Sequence, residues 1–444
     1  MRLVAILAAL ILAALAALTT TCEAAIAPSD PFVKVDGIDF KLGKDKYVFQ
    51  GFNAYQMLEA AADWGPVGRL MVKDIFKQAK ENGLTVMRTF AFAGRLKQNA
   101  LMTGPGEYND KMLEALDFVM DEASKQDIRV VLVLDSYWNT AFDKDETHAN
   151  GIHKYLQWIK EAKNVTLEPN DFYTNAETRK MYKDHVKFML NRKNTVNGRV
   201  YKNDPAILSY NIMNEPRCEE CGKDLQKWID EMAAYVRSID KNHMITVGED
   251  GFYSSEFSDA KHLSQNPGDW AHTQGKPTPC LLLLPFTPTD TPSPLSSLSL
   301  SLIPLSSPTS GQDFLANHKG KDISYAAIHI WPDDWNHREV RFQHDWILQH
   351  ILDAEQVLKK PFVIEEFGKT REPDEPFDRR NRFLETAFMD AENNVLKGGA
   401  VAGTSWWNWY GRGDGRGDGY GEFPLESNRI GSSPPLTPSP CHFC

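Results

Sequence analysis

Ile207-Leu-Ser-Tyr-Asn-Ile-Met-Asn-Glu-Pro216 is an apolar run that stops on an amide, an acid and a proline. Its length and composition are those of a buried strand. Pro216 has no N–H to donate, so it closes the strand directly behind Glu215. A second run, Pro361-Phe-Val-Ile-Glu-Glu-Phe-Gly368, also reaches carboxylates at its C-terminal end. Two carboxyl groups held on rigid strand ends are the pairing that glycosidic bond cleavage requires. Asn-Glu-Pro alone says little, because a strand followed by a turn explains it equally well. The pairing of the two strand ends carries the weight.

Working outward, six more runs read as strands: Tyr47 to Tyr55, Thr85 to Phe92, Arg129 to Trp138, Met244 to Tyr253, Tyr325 to Trp331 and Val401 to Trp409. Helical patterns lie between them at Pro66 to Asn82, Asn109 to Lys125, Thr178 to Leu190, Asp224 to Ile239, His337 to Leu358 and Asp378 to Val395. The first of these carries Val67, Leu70, Met71, Ile75 and Ala79 on its expected buried face, with a proline at its start. Eight strands alternating with helices predict an α/β fold, a (β/α)8 TIM barrel with its site at the strand C-terminal ends. Those ends carry Asn53, Tyr55, Arg88, Trp138, Asn139, Asn214, Glu215, Glu249, His329, Trp331, Glu366, Trp406 and Trp407. Polar and aromatic groups gather there while the strand interiors stay apolar.

With 444 residues, 42% hydrophobic and 25% charged, the chain can bury a large core. Eleven tryptophans suit stacking on sugar rings, although a tryptophan-rich core explains many of them as well. A net charge of −11 argues against nucleic acid and anionic membrane surfaces. Residues 1–25 read as a signal peptide: Arg2, an apolar run to Leu18, then small residues to Ala25, too short to span a bilayer. Secretion, and no membrane association after cleavage, is therefore expected. It would make Asn164-Val-Thr166 a usable glycosylation site. Cys218 and Cys221 are expected to form a small-loop disulfide stiffening the rim, rather than to bind zinc, since no second ligand pair lies at a suitable spacing.

Two segments break the rhythm. Residues 276–310, rich in Pro, Ser, Thr and Leu, read as a low-complexity insert that contributes nothing to the core. Residues 425–444 read as a disordered tail of the same character. Between them Arg412-Gly-Asp-Gly-Arg-Gly-Asp418 reads as a flexible turn.

Met87-Arg-Thr-Phe-Ala-Phe92, Asn214-Glu-Pro-Arg-Cys218, Gly248-Glu-Asp-Gly-Phe-Tyr253, Ile328-His-Ile-Trp-Pro-Asp-Asp-Trp335, Glu365-Glu-Phe-Gly368 and Gly403-Thr-Ser-Trp-Trp-Asn-Trp409 occur in that order. Together they resemble the endo-β-1,4-mannanases of glycoside hydrolase family five, within a clan of retaining (β/α)8 glycosidases. The resemblance covers roughly residues 32 to 424 apart from the insert. It implies Glu215 as general acid/base and Glu366 as nucleophile. Asn214 would hold the sugar 2-hydroxyl, Arg88 would orient Glu366, His329 would line the site beside Glu215, and Trp407 would lie under the sugar. Trp138 is a further candidate substrate contact. Trp331 departs from the family, which often has a tyrosine there that hydrogen-bonds the nucleophile.

Read without the resemblance, Glu366 is favoured over Glu365, which would be an ion-pair partner. Trp406 stays an alternative to Trp407, because a one-residue slip reverses which faces inward. Arg88 alone could be an ordinary strand-end ion pair, His329 a core histidine, and Glu249-Asp250 a loop cap. The mechanism asks for a raised pKa at Glu215 and a low one at Glu366. The expectation is a secreted, monomeric mannan-cleaving enzyme acting on polysaccharide with no metal or organic cofactor. A β-1,4-glucanase of the same fold and a non-catalytic cell-wall polysaccharide-binding protein are the alternatives.

Overall fold

The computed structural model describes residues 30–92, 96–140, 148–267, 310–370 and 377–409 of the chain. The leader with Cys22, segment 276–310 up to Ser310, Cys280, the Arg-Gly-Asp turn, and tail 425–444 with Cys441 and Cys444 lie outside the described residues.

All eight expected strands form: β1 Phe49–Asn53, β2 Val86–Phe90, β3 Arg129–Val133, β4 Ile207–Asn214, β5 Met244–Gly248, β6 Ala326–Ile330, β7 Phe362–Phe367 and β8 Val401–Trp406. They lie in one sheet in the order β5-β4-β3-β2-β1-β8-β7-β6, and every neighbouring pair is parallel. Across the remaining seam the Ser324 N–H reaches the Ile245 carbonyl and the His329 N–H reaches the Glu249 carbonyl, both at 2.7 Å. These bonds draw β5 and β6 together, and the sheet is nearly closed into a (β/α)8 barrel.

The strands are shorter than the apolar runs, so Tyr55, Phe92, Trp138, Tyr253 and Trp409 fall in the loops above them. Parallel strands buried on both faces read as continuous apolar runs, which do not mark where pairing stops. Helix Gly65–Glu81 is turned relative to the sequence reading. Val67 and Leu70 are exposed, while Gly68, Val72, Ile75, Phe76 and Ala79 are buried. The reason is a short helix, Met57–Asp63, whose Ala60 lies against Gly68. Helix Asp110–Lys125 starts where Asn109 accepts a hydrogen bond from the Lys111 N–H, a standard N-cap. The helix expected at His337–Leu358 begins later, at Val340, and ends in a π-turn from Ala354 to Leu358.

An unforeseen antiparallel sheet, Val33–Asp36, Asp39–Leu42 and Asp45–Lys46, precedes the barrel. Its Val33 and Phe40 pack into a separate apolar layer with Phe49, Val86, Val131, Leu208, Met244, Tyr325, Ala327, Val363 and Ala402. Those residues lie towards the starts of the barrel strands or just before them, so the hairpin plugs the barrel's lower end. Phe40 is fully buried with its ring edge-on to Tyr325, 5.2 Å between centroids. Phe40→Ala should cost about 3–5 kcal/mol, the transfer free energy plus the cavity left in a layer held on every side. Urea unfolding will check this, and a loss below about 1 kcal/mol would mean that the hairpin does not seal the barrel.

Candidate active site

The barrel's upper half is polar. Arg88, on β2, is fully buried along the axis. Its Nη1 donates to Glu366 Oε1 and, at 3.1 Å, to Asn53 Oδ1. Nη2 donates to Asn214 Oδ1 at 2.7 Å, and Nε lies 3.4 Å from Glu365 Oε2. One guanidinium thus fixes groups from β1, β4 and β7 together. Its planar fork suits this task, where an ammonium would offer only a point charge.

Glu215 lies one residue past β4 in the left-handed backbone region, φ +47°. Its N–H is tied to the Gly248 carbonyl at 2.7 Å. Trp138 Nε1 donates to Glu215 Oε2 at 2.6 Å, and His329 Nδ1 meets Glu215 Oε1 at 2.9 Å. The same Nδ1 is 3.5 Å from Glu366 Oε2, while Nε2 pairs with Glu365 Oε2 at 3.2 Å. Oxygens of Glu215 and Glu366 and a nitrogen of His329 all lie within 4.8 Å of one another.

Glu365 and Glu366 are adjacent on β7, yet their surroundings differ. Glu365 accepts from Asn211 Nδ2 at 2.7 Å and lies beneath the imidazole in the barrel interior. The Gly248 backbone closes over this corner. A Cβ there would fall 2.5 Å from Asn211 Nδ2, 2.8 Å from Glu365 Oε2 and 2.9 Å from His329 Nε2.

The electrostatics follow from a count of charges. Three carboxylates, Glu215, Glu365 and Glu366, share two cations, Arg88 and His329. Burial lowers the imidazole pKa, but the charge of Glu366 and hydrogen bonds to Glu215 and Glu365 outweigh it, raising His329 to about 10. Burial raises Glu215, but the hydrogen bond and charge of His329, with Arg217 and Trp138, hold it down at about 2. Burial pushes Glu366 up to about 7 against His329 and Arg88, with the charges of Glu215 and Glu365 adding to the rise. This order is the reverse of the expected one: His329 Nδ1 bonds Glu215 directly and stands farther from Glu366. The same imidazolium at the centre of the Glu215–His329–Glu366 group opposes a metal cation there.

Aromatic side chains form the wall. Trp407 stacks on Tyr55 with centroids 5.2 Å apart and planes 13° off parallel, and Trp331 stands edge-on to it at 5.9 Å. Trp407 is partly exposed, whereas Trp406 is buried against Phe52 and Trp409. The register thus separates the two candidates. The sequence reading passed over Arg217, whose guanidinium lies 5.0 Å from the Trp138 ring centroid and 2.7 Å from Asp250 Oδ2. Its place two residues beyond Glu215 was the available signal. Cys218 and Cys221 form a disulfide in this same loop.

A parallel barrel with an acid cluster at the ends of its fourth and seventh strands defines a barrel glycoside hydrolase. A family model described as GH family 5 beta-mannosidase-like matches residues 30–269 and 305–435. The chain is 33% identical over 389 residues to a putative mannan endo-1,4-beta-mannosidase 4 of Arabidopsis thaliana, covering 86% of this chain and 84% of the relative. To the mannan endo-1,4-beta-mannosidase 1 of Oryza sativa subsp. japonica it is 34% identical over 384 residues, covering 85% and 78%. Among solved structures, a glycoside hydrolase family 5 mannosidase from Rhizomucor miehei superposes with a TM-score of 0.65 at 22% identity, covering 89% of this chain and 94% of that one. The hyperthermostable endo-1,4-beta-D-mannanase of Thermotoga petrophila gives 0.63 at 22%, covering 86% and 98%; at such identity these two speak for the fold. The chain belongs to the GH family 5 beta-mannosidase-like family.

Gly248→Ala should displace Glu365 and His329 and cost at least tenfold in rate on a soluble galactomannan, because a misplacement of about 1 Å is enough for that. Measured kcat/KM within twofold of the parent would show that the corner tolerates the added carbon.

Proposed function

We propose that this enzyme is a secreted endo-mannanase that hydrolyses β-1,4-mannosidic bonds in mannan, galactomannan or glucomannan with retention of configuration. The observation that supports the reading is the close approach of Glu215 and Glu366, one oxygen of each lying within 4.8 Å of the other. A retaining pair stands about 5–5.5 Å apart, whereas an inverting pair needs roughly 6.5–9.5 Å to admit a water. The names of the Arabidopsis and rice relatives favour mannan over glucan, and the apolar leader favours export.

In this reading Glu366 attacks the anomeric carbon while Glu215 delivers its proton to the leaving oxygen. The glycosyl-enzyme bond then yields to a water that Glu215 deprotonates. Attack needs the proton on Glu215 rather than on Glu366. His329 lies between the two acids, its Nδ1 2.9 Å from Glu215 Oε1 and 3.5 Å from Glu366 Oε2. Arg88 keeps Glu366 aimed, Asn214 holds the 2-hydroxyl, and Trp407 with Tyr55 supports the ring at the cleavage point. Trp138 and Trp331 complete the wall around it.

The active form carries one proton on the carboxylate pair, which titrates as a unit. With Glu366 at about 7, that proton leaves as pH rises. kcat/KM on galactomannan should therefore fall above about pH 7, and a profile flat through the alkaline range would contradict the assignment. Proton NMR of the first product from a mannooligosaccharide should show the β-anomer. An α-anomer would mean inversion and overturn Glu366 as nucleophile.

A further inference from the structure

The turn that carries Glu215 out of the barrel is gripped from outside by Ser310, Gly311 and Gln312. The Cys218 N–H donates to the Ser310 carbonyl at 2.7 Å. Gly311, at φ +72°, fits so closely beneath Cys218 that an added Cβ would fall 2.1 Å from its carbonyl oxygen. Gln312 is fully buried. Its Nε2 donates to the Pro216 carbonyl at 3.1 Å, and its Oε1 accepts from the Asp250 N–H at 3.3 Å. The Asp250 carboxylate in turn receives Arg217 Nη2 at 2.7 Å. Pro216, Arg217, Asp250 and Gln312 thus close a ring around the residues directly after Glu215.

Glu215 needs such a ring. A glutamate with a positive φ persists only where the surroundings over-determine it. The Gly248 carbonyl holds it from the N-terminal side, and the ring holds it from the C-terminal side. The side-chain partners of Gln312 described here lie after β4 and β5, on the Glu215 side of the site rather than on β7. That asymmetry gives it a specific chemical consequence.

We propose that Gln312 is a positioning residue for acid/base catalysis: by tying Pro216 to Asp250 it holds the Glu215 carboxyl against the glycosidic oxygen. The inference rests on Glu215 being the acid/base and goes beyond it. Gln312 then matters where the leaving group needs a proton and not where the leaving group departs unaided. A residue that merely stabilises the fold, or the site as a whole, would affect both kinds of substrate alike.

The test compares kcat/KM, which reports formation of the glycosyl-enzyme, for a mannooligosaccharide and for a 2,4-dinitrophenyl β-mannooligosaccharide. Gln312→Met keeps the size and removes both hydrogen bonds. We expect a loss of about tenfold on the unactivated sugar, a fraction of the 10²–10⁴-fold that general acid catalysis supplies, and a change within about twofold on the aryl substrate. If the Met variant does not fold, Gln312→Asn serves, since it stays neutral and polar while its shorter amide cannot span from Pro216 to Asp250. Equal losses on both substrates, or no loss on either, overturn the inference. Glu215→Gln, run in parallel, separates the two failures. If it splits the substrates and the Gln312 variants do not, only the role of Gln312 falls. If Glu215→Gln shows no split, the acid/base assignment falls and takes this inference with it.

Discussion

The site depends on one buried guanidinium. Arg88 faces Glu365, Glu366, Asn53 and Asn214 in the barrel interior, with every one of these side chains buried. Removing it would leave buried carboxylates uncompensated, which typically costs about 3–5 kcal/mol even before any effect on catalysis. Its presence makes two adjacent acids on one strand tolerable, and it fixes their geometry from three strands at once. His329 shares the task, lying against Glu215, Glu365 and Glu366.

The fold was legible because parallel strands buried on both faces leave continuous apolar runs, and because their ends switch abruptly to polar and aromatic residues. Asn214-Glu215-Pro216 and Glu365-Glu366 announced themselves in this way. The N-terminal hairpin did not. Val33 to Lys46 mixes four-residue strands with aspartates and lysines, and its two core contacts, Val33 and Phe40, are too few to show a period. Val67 and Leu70 misled for the opposite reason: two apolar residues on a helix surface outvoted a glycine, whose smallness was the true packing signal.

The proton distribution was hidden for a different physical reason. Sequence can place a histidine near two acids, but it cannot say which carboxylate oxygen faces Nδ1. The structure puts Nδ1 2.9 Å from Glu215 and 3.5 Å from Glu366. Residue type likewise does not tell Trp406 from Trp407; register and the loop after β8 bury the first and leave the second partly exposed. Gln312 follows the low-complexity segment with no motif around it, and its amide bonds became visible once β4 and β5 stood side by side.

The plug formed by Val33 and Phe40 also governs how the acid cluster feels the medium. With the lower end of the barrel filled by apolar side chains, counter-ions can approach only from the mouth. Arg88 and Glu365, deepest in the barrel, lie beyond the reach of mobile salt, whose screening acts through solvent. Raising the ionic strength should thus weaken the surface ion pairs around the helices while leaving the balance among the buried acids almost untouched. The hairpin at the opposite end of the molecule thus shields the lower part of the acid cluster from the salt around it.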